Sequence, residues 1–177
     1  MNGRIARAGA LTAGGLCIGL TQGGVISGTV SDWLSAEVLV VGDGVDHVSI
    51  FWSINTANRG WFYGSQYNGD SDVAFADGIT NITQIADASR FTYTAWHIGP
   101  HVDAEPNGIG DFIVWRHTTT GHYGVLRIDD IAGTGNGATL EGTWWFQTDG
   151  TGNFVPAPGA SAILPVAVAV AMRRRRA

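Results

Sequence analysis

The residues best suited to chemistry are the histidines, and four of the five fall between His97 and His122. His97 and His101 stand four apart in Trp96-His97-Ile98-Gly99-Pro100-His101, with Asp103 and Glu105 just beyond. His117 and His122 flank Thr118-Thr119-Thr120-Gly121, which has the composition of a hairpin turn. With Thr120-Gly121 as the loop, Thr119 pairs with His122 and His117 with Gly124. The two imidazoles then lie diagonally on one face, within reach of a shared ion. Two pairs of neutral imidazoles suit zinc or copper, and such a centre would make a metal-dependent hydrolase the expected enzyme. Against this, Gly99-Pro100 keeps any helix from fixing His97 and His101, and histidines beside turns are usually just solvated.

Acidic turns offer a second chemistry. Asp43-Gly44-Val45-Asp46 and Asn68-Gly69-Asp70-Ser71-Asp72, with Asp77-Gly78 nearby, present hard oxygen ligands of the kind calcium prefers, Asp70 and Asp72 among them. The spacing is not that of an EF-hand loop, which needs a glycine at its sixth position and a glutamate at its twelfth. Asp and Asn next to Gly also build turns unaided, so a calcium ion here is expected to be structural.

Aromatic side chains are the third candidate. The chain has seven tryptophans, Trp33, Trp52, Trp61, Trp96, Trp115, Trp144 and Trp145. Alternation assigns Trp52 and Trp115 to a core. Adjacent strand residues face opposite ways, so one of Trp144 and Trp145 points outward, and Trp61-Phe62-Tyr63 poses the same choice. Exposed flat rings on a sheet can stack on sugar, which makes Trp61, Tyr63 and one of Trp144 or Trp145 the expected contacts of a carbohydrate-binding module.

Covalent and acid–base catalysis find little support. The chain has no Gly-x-Ser-x-Gly elbow, no His-Glu-x-x-His and no phosphate-binding glycine loop. Its glutamates are only Glu37, Glu105 and Glu141, and Asp129-Asp130 point to opposite faces of a strand.

Six of ten arginines lie at the termini. Between Val25 and Phe154, four arginines face all fifteen Asp and Glu, a formal charge of −11. Such a surface repels phosphate backbones, so no nucleic-acid partner is expected. Cys17, the only cysteine, lies outside that body, which therefore depends on packing rather than disulfides.

Period-two alternation dominates from Val38 onward. In Asp46–Asn55, Val48, Ile50, Trp52 and Ile54 share one face, and His47, Ser49, Phe51 and Ser53 the other. Trp61–Tyr67 and Phe91–His97 read as further strands. Ile79, Ile82 and Ile85 recur at i+3 and predict one short helix within Gly78–Ala88. Asp111–Ile131 is the best-defined hairpin, and Leu140–Thr148 ends the series. Turn signals every ten to fifteen residues, with no long amphipathic helix, predict an all-β fold: a single antiparallel β-sandwich or jelly-roll-like domain.

Residues 1–24 carry Arg4 and Arg7 ahead of a weakly apolar stretch, the order of a secretory signal. At the other end, Val155-Pro156-Ala157-Pro158-Gly159 leads into uncharged residues Ala160 to Met172, closed by Arg173, Arg174, Arg175 and Arg176. An apolar stretch backed by arginines stops in a bilayer with its charges on the cytoplasmic side. As a helix its thirteen residues would span about 20 Å, against a hydrocarbon core of about 30 Å. This tail resembles the PEP-CTERM sorting segment of bacterial surface and matrix proteins, in a Pro-Ala-Pro variant where Ala157 replaces glutamate. Gly110 to Phe154 is similar to the last strands of uncharacterised β-rich domains that accompany such tails.

The resemblance implies an exosortase-type processing enzyme as partner, at least transient membrane attachment, and residence at the cell surface or in the extracellular matrix. Exopolysaccharide is the further partner expected there. The expected organisation is a signal-like segment 1–24, a β-sandwich 25–154 and a sorting segment 155–177. The expected role is structural or interactive, without catalysis and without a required cofactor. Mass spectrometry of the form released from a host with its exosortase is expected to show a chain ending near Pro156–Gly159. A host lacking the enzyme is expected to retain residues 160–177 in its membrane fraction.

Overall fold

A computed structural model describes residues 24–57, 59–99 and 108–155. The signal-like segment up to residue 23, the sorting segment after Val155, the short apolar helix expected there, and His101, Asp103 and Glu105 lie outside the described residues. Among the described residues the strands are β1 (Val25–Leu34), β2 (Val38–Gly42), β3 (His47–Ile54), β4 (Gly60–Tyr63), β5 (Ser71–Phe75), β6 (His97–Ile98), β7 (Phe112–His117), β8 (Tyr123–Ala132) and β9 (Thr139–Gln147). A single α-helical turn, α1 (Ser65–Asn68), lies between β4 and β5. The strands make two antiparallel sheets, one ordered β1-β9-β8-β7-β5 and the other β2-β3-β4-β6. The all-β sandwich expected from alternation is the architecture observed. No helix among the described residues is long and apolar enough to cross a membrane.

Alternation places the main core between the sheets. Val48, Ile50, Trp52 and Ile54 of β3 face Ile113 and Trp115 of β7, Leu126 and Ile128 of β8, and Leu140 and Phe146 of β9. Trp52 and Trp115 are fully buried, and each large apolar side chain so placed contributes on the order of 1.5–3 kcal/mol. Trp115 also ties the layers together, its Nε1 donating to the Tyr63 carbonyl at 3.2 Å.

The five-stranded sheet is covered on its outer face as well. Ala76, Ile85 and Ala88 from the β5–β6 connection, with Phe154, pack on Phe112, Val114, Tyr123 and Val125. This second core explains why Phe112 to Trp115 are buried without interruption, since a strand covered on both sides needs apolar residues at every position.

The helix predicted within Gly78–Ala88 is instead a pair of 3-10 turns, Ile82–Gln84 and Ala88–Arg90. An i+3 recurrence fits three residues per turn as well as 3.6, and the side chains of Asn81 and Asp87 cap the two turns. The strand read over Trp61–Tyr67 stops at Tyr63, where the chain turns into α1. The strand read over Phe91–His97 reduces to β6 and an isolated bridge from Thr94 to Val73. β1 and β5 are additions, masked in the sequence by polar outward residues and by the acidic turn before Val73.

The β7–β8 hairpin pairs Arg116 with Tyr123 and Trp115 with Gly124, a shift of two residues from the expected register. His117 N donates to His122 O, and Gly121 at φ 75° closes the wider loop by donating to His117 O. A two-residue shift preserves sidedness, so His117 and His122 still share a face. Gly124 is required by close approach, because a Cβ there would overlap Cγ2 of Val48 on the facing sheet. Gly124→Ala is therefore expected to destabilise the domain by about 1–3 kcal/mol. In a Val48→Ala background the same change should cost less, a coupling of about 0.5–3 kcal/mol measurable by urea denaturation of the four variants.

Candidate ligand-binding face and histidine rim

The outer face of the four-stranded sheet, unlike that of its partner, carries aromatic rings in register. Val38 pairs with Phe51, Phe51 with Tyr63, and Tyr63 with His97, so one row of side chains crosses all four strands. Ring centroids lie 5.0 Å apart for Phe51 and Tyr63, and 5.8 Å apart for Tyr63 and His97. Tyr67, from α1, adds a ring edge-on to Tyr63 at 4.8 Å. Tyr63 OH and Ser53 Oγ are hydrogen-bonded at 2.8 Å, which fixes the central ring. Ser53 pairs in turn with Trp61 on the same face.

Beside Val38 and Phe51, the rest of these side chains line an open depression of about 680 Å³. Its wall is Trp61, Tyr63, Tyr67 and His97, with Ser53, Asn55, Thr56 and Asn136 supplying neutral donors and acceptors. Among the described residues that line it, none carries a carboxylate or a guanidinium. Such a surface offers apolar ring faces and uncharged hydrogen-bonding groups together.

Only two of the four aromatic residues singled out from the sequence meet here. Trp144 packs against the core between the sheets, and Trp145 lies on the outer face of the five-stranded sheet, stacked on Phe112 at 5.9 Å beneath Arg127. The adjacent tryptophans do face opposite ways, but both belong to β9 and neither joins Trp61 and Tyr63. Tyr67, Asn55 and Asn136 come from three separate connections, and nothing local in the sequence links them.

The histidines divide between two places. His97 stands in the aromatic row. His117 meets His47 and Asp70 at one end of the sandwich, with one ligand-type atom from each within 4.8 Å of the others. His47, read from the sequence only as an outward strand residue, has its Nε2 3.4 Å from Asp70 Oδ2, and its ring meets His117 edge-on at 5.5 Å. His122 lies nearby, its Nδ1 3.7 Å from Asp46 Oδ1 and its ring stacked on Phe146 at 5.8 Å.

The His47–Asp70 separation matches the spacing of two ligands on a tetrahedral zinc. His117, however, accepts the Thr119 and Thr120 amides on Nδ1, at 3.2 and 3.1 Å. A neutral ring held that way carries its proton on Nε2, leaving no free lone pair for an ion. The rim therefore works as a clamp on the β7–β8 turn. The four-histidine set expected from the sequence does not assemble among the described residues, since His97 is in a different layer.

Asp70 has a structural task. β4 leaves β3 after the Phe51–Tyr63 pair, so the backbone of buried Ser49 loses its neighbour on that side. Ser49 N donates instead to Asp70 Oδ1 and Ser71 Oγ, both at 3.1 Å, and Ser49 Oγ donates to Asp70 Oδ2 at 2.5 Å. Asn68 Nδ2 donates to Ser49 O at 2.9 Å, and to Tyr63 O and Ser71 O at 3.0 Å. Burial alone would raise the Asp70 pKa, but the hydrogen bonds from Ser49 and Ser71 outweigh it and hold the carboxyl below its ordinary value. Asp72 engages other partners, Ser65 Oγ at 2.7 Å and Arg116 at 3.6 Å. The two carboxylates proposed together as calcium ligands are thus held in separate hydrogen-bond sets.

Asp70→Asn is expected to cost about 1–3 kcal/mol, because it weakens acceptors for buried donors. A depressed carboxyl pKa adds stability that is complete above the unfolded value, 3.8, and lost as pH falls through the lower folded value. Urea melts from neutral pH to below pH 3.8 should show the wild type losing its advantage over Asp70→Asn as acid is added.

Comparison with protein families, with curated proteins and with solved structures finds no match to this chain.

Proposed function

We propose that this chain is an exported cell-surface or matrix protein whose β-sandwich body binds neutral carbohydrate without catalysis, through the outer face of its four-stranded sheet. The observation that carries the reading is the open depression walled by Trp61, Tyr63, Tyr67 and His97 and edged by Ser53, Asn55, Thr56 and Asn136. Its volume of about 680 Å³ falls in the range of small-molecule sites, and its few polar groups suit an oriented ligand. Sugar rings present apolar C–H faces to aromatic rings and hydroxyls to amides and alcohols, which are the two kinds of group found here. The uncharged character of the described lining residues favours neutral over uronic or sulfated chains, and the formal charge of −11 on residues 25–154 acts in the same direction. Export is supported by the signal-like start and by the arginine-terminated apolar tail. An exosortase-type enzyme is the proposed processing partner, and exopolysaccharide the proposed ligand.

Titration of the protein with neutral and uronic polysaccharides tests the reading, followed by calorimetry or affinity electrophoresis. Neutral polymers are expected to bind, and Trp61→Ala to weaken binding about tenfold, equivalent to about 1.4 kcal/mol. Trp145→Ala, on the other sheet, should leave affinity unchanged. Failure of every neutral polymer to bind, or full affinity in a folded Trp61→Ala, Tyr63→Ala double variant, would refute the assignment.

A further inference from the structure

The described residues present four sheet edges, and three are blunted against further pairing. β1 shifts register between Val30 and Trp33 and carries Asp32 at φ 53°. β5 is backed by the bridge from Thr94 to Val73. β6 is only two residues long.

β2 has none of these devices. Its sequence, Val38-Leu39-Val40-Val41-Gly42, contains no charge, no proline and no register shift against β3. Val38 is 50% exposed and Val40 59%. The bond from Asp43 N to Asp46 O sets the phase of the β2–β3 ladder, in which bonded and non-bonded pairs alternate. Leu39 and Val41 therefore bond to β3, while Val38, Val40 and Gly42 turn their N–H and C=O groups outward. A five-residue strand with three valines, whose outward backbone groups no described residue pairs, is a template for one more strand.

Charge decides which strand. Glu37 and Asp43 flank β2, six residues apart. A second copy pairing antiparallel about Val40 would set Glu37 opposite the Asp43 of its mate, and like charges directly opposed are destabilising. The body's net negative charge opposes that pairing further. We propose that β2 is a docking edge for an extended segment of a partner protein, an uncharged β-branched run between two basic residues six positions apart.

The test uses the full-length chain and a fluorescein-labelled peptide, Arg-Thr-Val-Thr-Val-Thr-Arg, in an anisotropy titration. The peptide is expected to bind, and its counterpart with glutamate at both ends to bind about tenfold more weakly, equivalent to about 1.4 kcal/mol. Backbone N-methylation of the peptide at alternate residues should abolish binding. Glu37→Lys, at an exposed site, is expected to narrow or invert the preference between the two peptides. Val40→Pro removes an outward N–H and should lose the interaction while retaining the wild-type circular dichroism. Equal binding of the two peptides, undiminished binding of the N-methylated form, or a peptide-free dimer that Glu37→Lys leaves intact would overturn the proposal.

Discussion

Where β4 turns away from β3, the backbone of Ser49 stays buried with β2 on one side and no strand on the other. Buried N–H and C=O groups need partners, so the chain must supply them or give up the layer. Asn68, Asp70 and Ser71 supply them with side chains, and much of the molecule is arranged around that substitution. The same few residues carry the chain from the four-stranded sheet to the five-stranded one, start β5, and bring Tyr67 against Tyr63. Asp70 thereby comes beside His47. An acidic, glycine-containing turn that resembles a cation loop in composition is here a backbone prosthesis.

The two outer faces of the sandwich differ in kind. One is sealed by the β5–β6 connection and Phe154, which form a second core over β7 and β8. The other is not covered by any described element and carries a row of rings fixed by strand pairing rather than by loops. A face built on strands holds its side chains in fixed relative positions, which favours recognition of a repeating ligand with little ordering cost. The exposed edge of the same sheet, β2, is a second surface at which the domain could be joined to its surroundings.

The alternating strands were legible residue by residue. Val48, Ile50, Trp52 and Ile54 are buried as their spacing demanded, and Trp115 lies in the core with them. The Ile79–Ile82–Ile85 series cannot distinguish a helix from 3-10 turns, because the two periods coincide over so short a stretch. The β7–β8 register is not legible in composition, because its turn is stabilised by His117 Nδ1, a contact that composition does not announce. Of the candidate binding face, Trp61 and Tyr63 could be named in advance because they sit two apart on one strand. Trp144 and Trp145 could not be separated from them, since only pairing assigns β9 to the opposite sheet.

By itself, the sequence determined the class of fold, the inward set of the alternating strands and the acidity of the body. These follow from local period and composition, which act over a few residues and survive any topology. Tertiary structure decided which face is sealed, which edge is free, and which polar groups meet. Tyr67, Asn136 and Trp61 become neighbours, and His47 joins Asp70 and His117, only after strands far apart in the chain have paired. Such convergence depends on long-range pairing and on the need to satisfy buried backbone groups, and neither leaves a periodic trace in the sequence.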